Sequence, residues 1–244
     1  MDRLIYLSMA GAKALMQRQE ALANNLANAG TDGFRADMMT ARAVPVRQEG
    51  TATTRVYNVE TTAGFSADSG PTRQTGNPLD IAVRGTGWIA VIAADGSEAY
   101  TRSGALVVDA QGVLTTRQGR PVMGDGGPIT VPPDAEVSIG SDGSVSAKAA
   151  NQPATPIGRI KLVDPPAAVL VKGGDGLLRQ RDGEPAEADP AVRVVDGALE
   201  GSNVNVVEAM VGMIEVTRQF EMQMKLLQNS EANDQRAAQL LSMK

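Results

Sequence analysis

Apolar residues recur at intervals of three and four at both ends of this chain, and the middle follows no such rhythm. Residues 3–29 hold no proline and one glycine, Gly11. Within them Ile5, Ser8, Ala12, Leu15, Gln19, Leu22 and Leu26 line one helical face, with Lys13, Gln17, Arg18 and Glu20 mainly off it. The spacing predicts a helix closed by Gly30 as a left-handed cap, then a Thr31-Asp32-Gly33 turn. A second helix is predicted over about 204–243. Asn205 can cap it with Glu208 three residues on. Val206, Met210, Met213, Thr217, Phe220, Met224, Leu227, Glu231, Asp234, Ala238 and Leu241 then hold a heptad spacing.

Both seams contain Met, Ala, Ser or charged members rather than an unbroken run of leucine, and methionine packs adaptably against varied partners. A single antiparallel pair would bury such stripes only in part. The remaining surface favours further copies, and contacts that do not close on themselves build helical filaments. The seam residues are therefore read as a subunit interface: Ile5, Ala12, Leu15, Leu22 and Leu26 from the first helix, and Val206, Met210, Met213, Phe220, Met224 and Leu227 from the second. The competing expectation is that both helices simply fold onto the middle of the chain.

Between the helices the pattern changes twice. Residues 35–75 are rich in Thr, Ala, Gly and Arg with few large apolar side chains, which predicts an extended or partly strand-like connector with little core of its own. From 76 to 198, short β-prone runs alternate with turn signals, at 79–83, 88–93, 105–108, 113–115, 129–131, 137–139, 157–163 and 192–195. Asp95-Gly96 and Asp142-Gly143 are strong hairpin signals and Gln111-Gly112 a weaker one. Pro165-Pro166 and Lys172-Gly173-Gly174-Asp175-Gly176 read as loops. The expected class is α+β: terminal helices forming a coiled-coil-like assembly domain, with a central, mostly antiparallel β domain. The expected division is 1–34 N-terminal assembly helix, 35–75 connector, 76–198 β domain and 199–244 C-terminal assembly helix.

Composition narrows the chemistry. The chain of 244 residues has neither cysteine nor histidine, so disulfides, thiol nucleophiles and imidazole catalysis are excluded. With a formal net charge of −5 and no basic stripe, nucleic acid is not an expected partner. Hydrophobic content of 42% supports a buried core, and no run reaches the roughly 18 apolar residues of a membrane span. The start, Met1-Asp2-Arg3-Leu4-Ile5-Tyr6, lacks the layout of a cleaved signal peptide.

Glu184, Glu187 and Asp189 lie in a Pro- and Ala-rich stretch that reads as a solvated loop, which argues against a glycosidase pair. Gly85-Thr86-Gly87 is too short for a dinucleotide fingerprint and precedes a strand, and the glycines at 173, 174 and 176 lack the Lys-Ser/Thr of a phosphate loop. No calcium-loop spacing is present. No cofactor, metal or catalytic residue is expected. Met210, Met213, Met222 and Met224 read as packing seam rather than a target-binding groove, and Trp88 as an anchor of the β core.

Specific motifs carry a resemblance. Ala23-Asn24-Asn25-Leu26-Ala27-Asn28-Ala29-Gly30-Thr31-Asp32-Gly33-Phe34-Arg35 resembles the N-terminal signature of bacterial flagellar rod and hook proteins. In it Asn24, Asn25 and Asn28 can bond local backbone, Gly33 can take a turn conformation closed to most residues, and Phe34 can anchor that turn. Asp32 stands where many relatives have proline, and Asp-Gly still makes a turn. Gly76-Asn77-Pro78-Leu79-Asp80-Ile81-Ala82-Val83-Arg84-Gly85-Thr86-Gly87-Trp88 is similar to the start of the family's β domain, followed by Tyr100-Thr101-Arg102-Ser103-Gly104 and Gly119-Arg120-Pro121-Val122-Met123-Gly124. Leu199-Glu200-Gly201-Ser202-Asn203-Val204-Asn205 and the residues to Met210 resemble the shared C-terminal motif, with Ser202, Asn203 and Asn205 its polar members.

Within the family, three stretches point to the proximal-rod members ahead of the distal ones. They are the opening six residues, Gly126-Gly127-Pro128-Ile129-Thr130-Val131-Pro132, and the stretch from Arg218 to Lys225. The resemblance implies a structural, non-enzymatic subunit of the flagellar rod, the drive shaft crossing the periplasm. It also implies delivery by the flagellar type III export apparatus without a cleaved signal. The implied partners are other copies of itself, neighbouring proximal and distal rod proteins and that apparatus, with no nucleic acid and no membrane insertion. A secreted β-domain hydrolase, which would show a deep polar pocket, and a soluble binding module are the alternatives from other classes.

Overall fold

The computed structural model describes residues 2–45, 56–149 and 152–242. The chain separates into two compact units. One comprises 1–27, 37–64 and 205–244, the other 28–36 and 65–204. The class is α+β, with mostly antiparallel sheets.

The first unit holds α1 (Asp2–Ala27), a two-stranded ribbon of β1 (Asp37–Pro45) and β2 (Val56–Phe65), and α2 (Val206–Ser242). Both helices are free of proline, and α2 begins as expected. The Asn205 side-chain oxygen accepts from the amides of Val207 at 3.1 Å and Glu208 at 3.3 Å, supplying partners to donors that a helix start leaves open. The Glu208 charge in the first turn complements the helix dipole. Gly30 is not left-handed; Gly33, three residues later, is, at φ 73°.

The two helices pack antiparallel. Gly11 faces the Gln223 side chain, and Gly212 lies against Leu22, whose methyl groups are 3.4 and 3.5 Å from where a Cβ would stand. At both points an added Cβ would make ordinary van der Waals contact with the facing side chain. On α2 the inward side is Ala209, Met213, Val216, Phe220, Gln223 and Leu227, with Ala209 and Val216 buried. That shares Met213, Phe220 and Leu227 with the predicted heptad but rotates the rest. Val206, Met210 and Met224 are exposed. The observed stripe carries the small residues Ala209 and Gly212 where the predicted one carries Val206 and Met210. The side chains of Ile5, Asp234, Ala238 and Leu241 lie outside the described residues.

The second unit is β-rich. Its strands are β3 (Thr72–Gln74), β4 (Ile81–Arg84), β5 (Trp88–Ile92), β6 (Glu98–Thr101), β7 (Leu106–Val108), β8 (Leu114–Thr116), β9 (Met123–Gly124), β10 (Gly127–Pro128) and β11 (Glu136–Ile139). There follow β12 (Ser144–Lys148), β13 (Thr155–Arg159), β14 (Leu162–Val163), β15 (Leu170–Lys172), β16 (Leu178–Gln180), β17 (Arg193–Asp196) and β18 (Ala198–Glu200). The largest sheet runs β14-β5-β6-β16-β15. β5 shows why it lies at the centre. Ile89 and Val91 join one apolar cluster with Ile81, Leu106, Leu114 and Val122, while Trp88 and Ala90 join another with Tyr100, Val163 and Leu178. A strand buried on both faces reads as an unbroken apolar run, and Trp88-Ile89-Ala90-Val91 is one.

The three hairpin signals fall between β5 and β6, β11 and β12, and β7 and β8. Asp95 and Asp142 each accept from the serine two residues on, through both its backbone amide and its hydroxyl. Those bonds hold both carboxyls below the usual carboxylate range. One expectation is met only in part. Residues 129–131 form an isolated bridge, Val113 to Thr130, flanked by the Ile129 and Val131 amides donating to the Val122 and Gly112 carbonyls, and Pro132 and Pro133 lack the donors that would extend it. The stretch expected as an extended or partly strand-like connector contains β1, β2 and β3, with β3 paired to β18 near the other end of the chain.

Candidate assembly surface and chain-end junction

The helix pair is apolar on more than the side it buries. Val207 is 70% exposed, Ile214 55%, Val211 50% and Met210 49%, all on the outward side of the first turns of α2. Behind them Ala209 and Val216 are buried, so this part of the helix is hydrophobic nearly all round. Met9 and Met16 are exposed on α1, as are Met222, Met224 and Leu226 further along α2. A helix of that kind needs a second apolar surface beyond its intramolecular one. Of the expected interface residues, Ala12 is buried and Leu15, Leu22, Leu26, Met213, Phe220 and Leu227 are half-buried along the pair.

The motif asparagines act where each helix meets the rest of its unit. In the first unit Asn25 donates to the Asp37 carbonyl at 3.0 Å and accepts from the Asp37 amide at 2.7 Å, while Asn24 contacts the Asp37 carboxylate. Asn25 thereby closes a strand-like pair of bonds with a side chain and ties the end of α1 to β1. In the second unit Asn28 receives the Thr31 hydroxyl at 3.2 Å, and the Ser202 hydroxyl accepts from the Val204 amide.

Four of the sequence motifs converge in the second unit on a buried cluster that sequence reasoning did not single out. Glu200 of β18 lies 2.7 Å from Arg35 Nη2 through one carboxylate oxygen and 2.8 Å from Arg102 Nη1 through the other, and all three side chains are almost wholly buried. Arg102 also donates to the Gly85 carbonyl at 2.6 Å. The Arg35 contact is one of charge rather than of aligned N–H groups, and its Nε and Nη1 find no hydrogen-bond acceptor among the described residues. The indole of Trp88 serves both guanidiniums instead, 5.5 Å from Arg35 and 5.1 Å from Arg102, with Phe65 edge-on to it at 5.8 Å. Burial pulls the Arg102 pKa below its ordinary value, Glu200 opposes that, and Arg35 adds to it. Arg35, Trp88, Arg102 and Glu200 each stand in a motif block, which was the available signal. Nothing in the spacing says that they meet.

Two glycines make the junction close. Gly33 has φ 73°, and a Cβ there would stand 2.2 Å from the Ser103 nitrogen; at Gly70 it would stand 2.1 Å from the Gly201 oxygen. Gly33→Ala should therefore lower stability by roughly 2–4 kcal/mol through left-handed strain plus overpacking, read as a lower urea midpoint at unchanged slope. An unchanged midpoint would contradict this geometry.

No constellation suited to catalysis appears among the described residues. Glu184 and Glu187 are exposed, and Asp189 accepts from the Ala191 amide as a turn cap. The buried carboxylates there are Asp80 and Glu200, the first bonded by Asn77 and the second held by two arginines. No group of His, Cys, Asp or Glu among the described residues could hold a metal ion, and no helix there is long and apolar enough to cross a membrane.

Three family models match the chain. Residues 5–35 match one described as flagella basal body rod protein, 82–147 the D1 domain of flagellar hook protein FlgE/F/G, and 195–240 the C-terminal part of flagellar basal body rod FlgEFG protein. The chain is 46% identical to the flagellar basal-body rod protein FlgF of Escherichia coli (strain K12) and 45% identical to that of Salmonella typhimurium, each over 100% of both chains. It is 31% identical to the flagellar basal-body rod protein FlgG of Buchnera aphidicola, over 97% of this chain and 98% of that one.

Proposed function

The chain belongs to the FlgF family of flagellar basal-body rod proteins, and on that footing we propose that it is a structural subunit of the proximal rod. It joins neighbouring subunits through its terminal helices and so transmits torque for motility. The distal rod is the second reading; the FlgG relative stands at 31% identity against 46% for the FlgF relative. The chain is not an enzyme, as its relatives are structural rod proteins. We place it in the periplasmic basal body, delivered by the flagellar export apparatus, with further copies of itself and other rod proteins as partners.

The observation that carries the assembly reading is the exposed apolar side of α2 opposite its buried side, Val207, Met210, Val211 and Ile214. A helix pair meant to stand alone would place polar residues there. Heterologous contact of that side with a different surface of the next subunit propagates a helical array. The same helices act as a coiled-coil-like assembly domain, in which Leu15, Leu22, Leu26, Met213, Phe220 and Leu227 hold the pair together and Val206, Met210 and Met224 reach outward. The division into an N-terminal helix to residue 34, a connector to 75, a β domain to 198 and a C-terminal helix follows the same logic of assembly parts flanking a folded body.

Deletion of 1–27 or of 205–244 should abolish incorporation into basal bodies and leave cells non-motile. Antiparallel β structure in the purified variants should persist by circular dichroism. Basal bodies of normal rod length containing either truncated chain would sink the reading.

A further inference from the structure

The hydrogen bonds of the second unit reveal an arrangement that the rod role does not require. The short C-terminal segment 199–204 lies between three others and binds each. Toward the N-terminal segment, the Gly33 amide donates to the Glu200 carbonyl at 2.7 Å, the Ala36 amide to Asn203 Oδ1 at 2.7 Å, and the Asn203 amide to the Phe34 carbonyl at 3.3 Å. Toward residues 66–71, Asn203 Nδ2 donates to the Ser66 and Asp68 carbonyls at 3.2 and 2.9 Å. The Gly70 amide donates to Glu200 Oε1 at 2.9 Å, and the Gly201 amide to the Pro71 carbonyl at 2.9 Å. Toward the β core, Glu200 holds Arg102.

Two side chains therefore do most of the joining. Among the described residues Glu200 is the one carboxylate in contact with two buried guanidiniums, and the Asn203 carboxamide has both ends engaged on opposite neighbours. Residues 33–36 are held by partners far along the chain: Glu200, Asn203 and Lys172, whose ammonium bonds the Arg35 carbonyl at 2.7 Å. The nearer Ser66, which donates to Ala36, is itself held by Asn203.

We propose that Glu200 and Asn203 form a mutually dependent latch: the N-terminal segment 28–36 and the segment 66–71 stay docked only while 199–204 is in place, and each depends on the other through it. The β core, built from Ile81 to Val194, closes without the latch, since its clusters draw on none of these segments. A chain lacking its last residues would thus fold its core and leave residues 28–36 undocked. Docking of the segment after α1 reports that the segment before α2 has arrived. Networks of buried polar groups that share members open together rather than bond by bond, which is the physical basis of the dependence.

The test is amide exchange by NMR on the full chain, read crosswise. In Asn203→Ala, the amides of Gly33 and Gly70 keep their own acceptors on Glu200. In Glu200→Gln, the Ala36 amide keeps its acceptor on Asn203. The latch predicts exchange faster by about tenfold or more at these untouched bonds, with the Ile81 and Ala90 amides of the core unchanged. If only the amide whose acceptor was removed exchanges faster, the dependence does not exist and the proposal falls. Should Glu200→Gln fail to fold, the Asn203→Ala arm decides by itself. The readout is made on the isolated chain, so it is independent of rod assembly.

Discussion

Replacing Val207 and Ile214 together by aspartate is expected to abolish rod assembly while leaving the chain folded. Both side chains are at least half exposed in the single chain, so no intramolecular core is lost. Only the part still exposed is gained on contact, so covering the pair contributes roughly 2–4 kcal/mol, or a loss of about 10–10³ in association constant. Carboxylates forced into that contact add a desolvation cost. Helicity should survive, because residue 207 lies in the first turn of α2, where a negative charge is favourable. The measurements are motility, electron microscopy of basal bodies and helical content by circular dichroism. Normal rods built by the doubly substituted chain would show that this side of α2 is not the contact.

The largest effect on stability is expected at Trp88. Trp88→Ala should cost about 3–5 kcal/mol, the range for deleting a large buried aromatic side chain. Its indole belongs to the smaller apolar cluster with Ala90, Tyr100, Val163 and Leu178 and is edge-on to Phe65. It also faces the guanidiniums of Arg35 and Arg102, and Arg35 has little else to meet two of its nitrogens. Truncation removes packing and cation–π contact together. Phenylalanine at 88 keeps part of both and should cost less. Urea unfolding followed by circular dichroism measures this, as the chain has no second tryptophan to report fluorescence. A loss under about 1 kcal/mol in the alanine variant would mean the indole anchors nothing, because ordinary surface changes fall in that range.

The elements were more legible than their partners. Helix positions, the Asn205 cap, both Asp-Gly hairpins and the doubly buried β5 follow from local rules of spacing and turn chemistry. The phase of α2 did not. Apolar residues surround its first turns, so two stripes competed, and the one carrying Ala209 and Gly212 is the one that faces α1. Residues 129–131 looked like a strand because β propensity ignores the prolines beside them. β3 was missed because Thr72-Arg73-Gln74 is exposed throughout and owes its form to hydrogen bonds with β18.

By itself, the sequence determined the class of structure, the absence of thiol and imidazole chemistry, and the presence of terminal helices with more apolar surface than one pairing consumes. Those properties depend on neighbours within a turn or a hairpin, where covalent spacing dictates geometry. Only the tertiary structure decided which face of α2 is left outward, and that Arg35, Trp88, Arg102 and Glu200 share one buried site. Those residues are separated by up to 165 positions. Their meeting depends on sheet pairing and close glycine contacts summed over the whole domain, which no local pattern encodes.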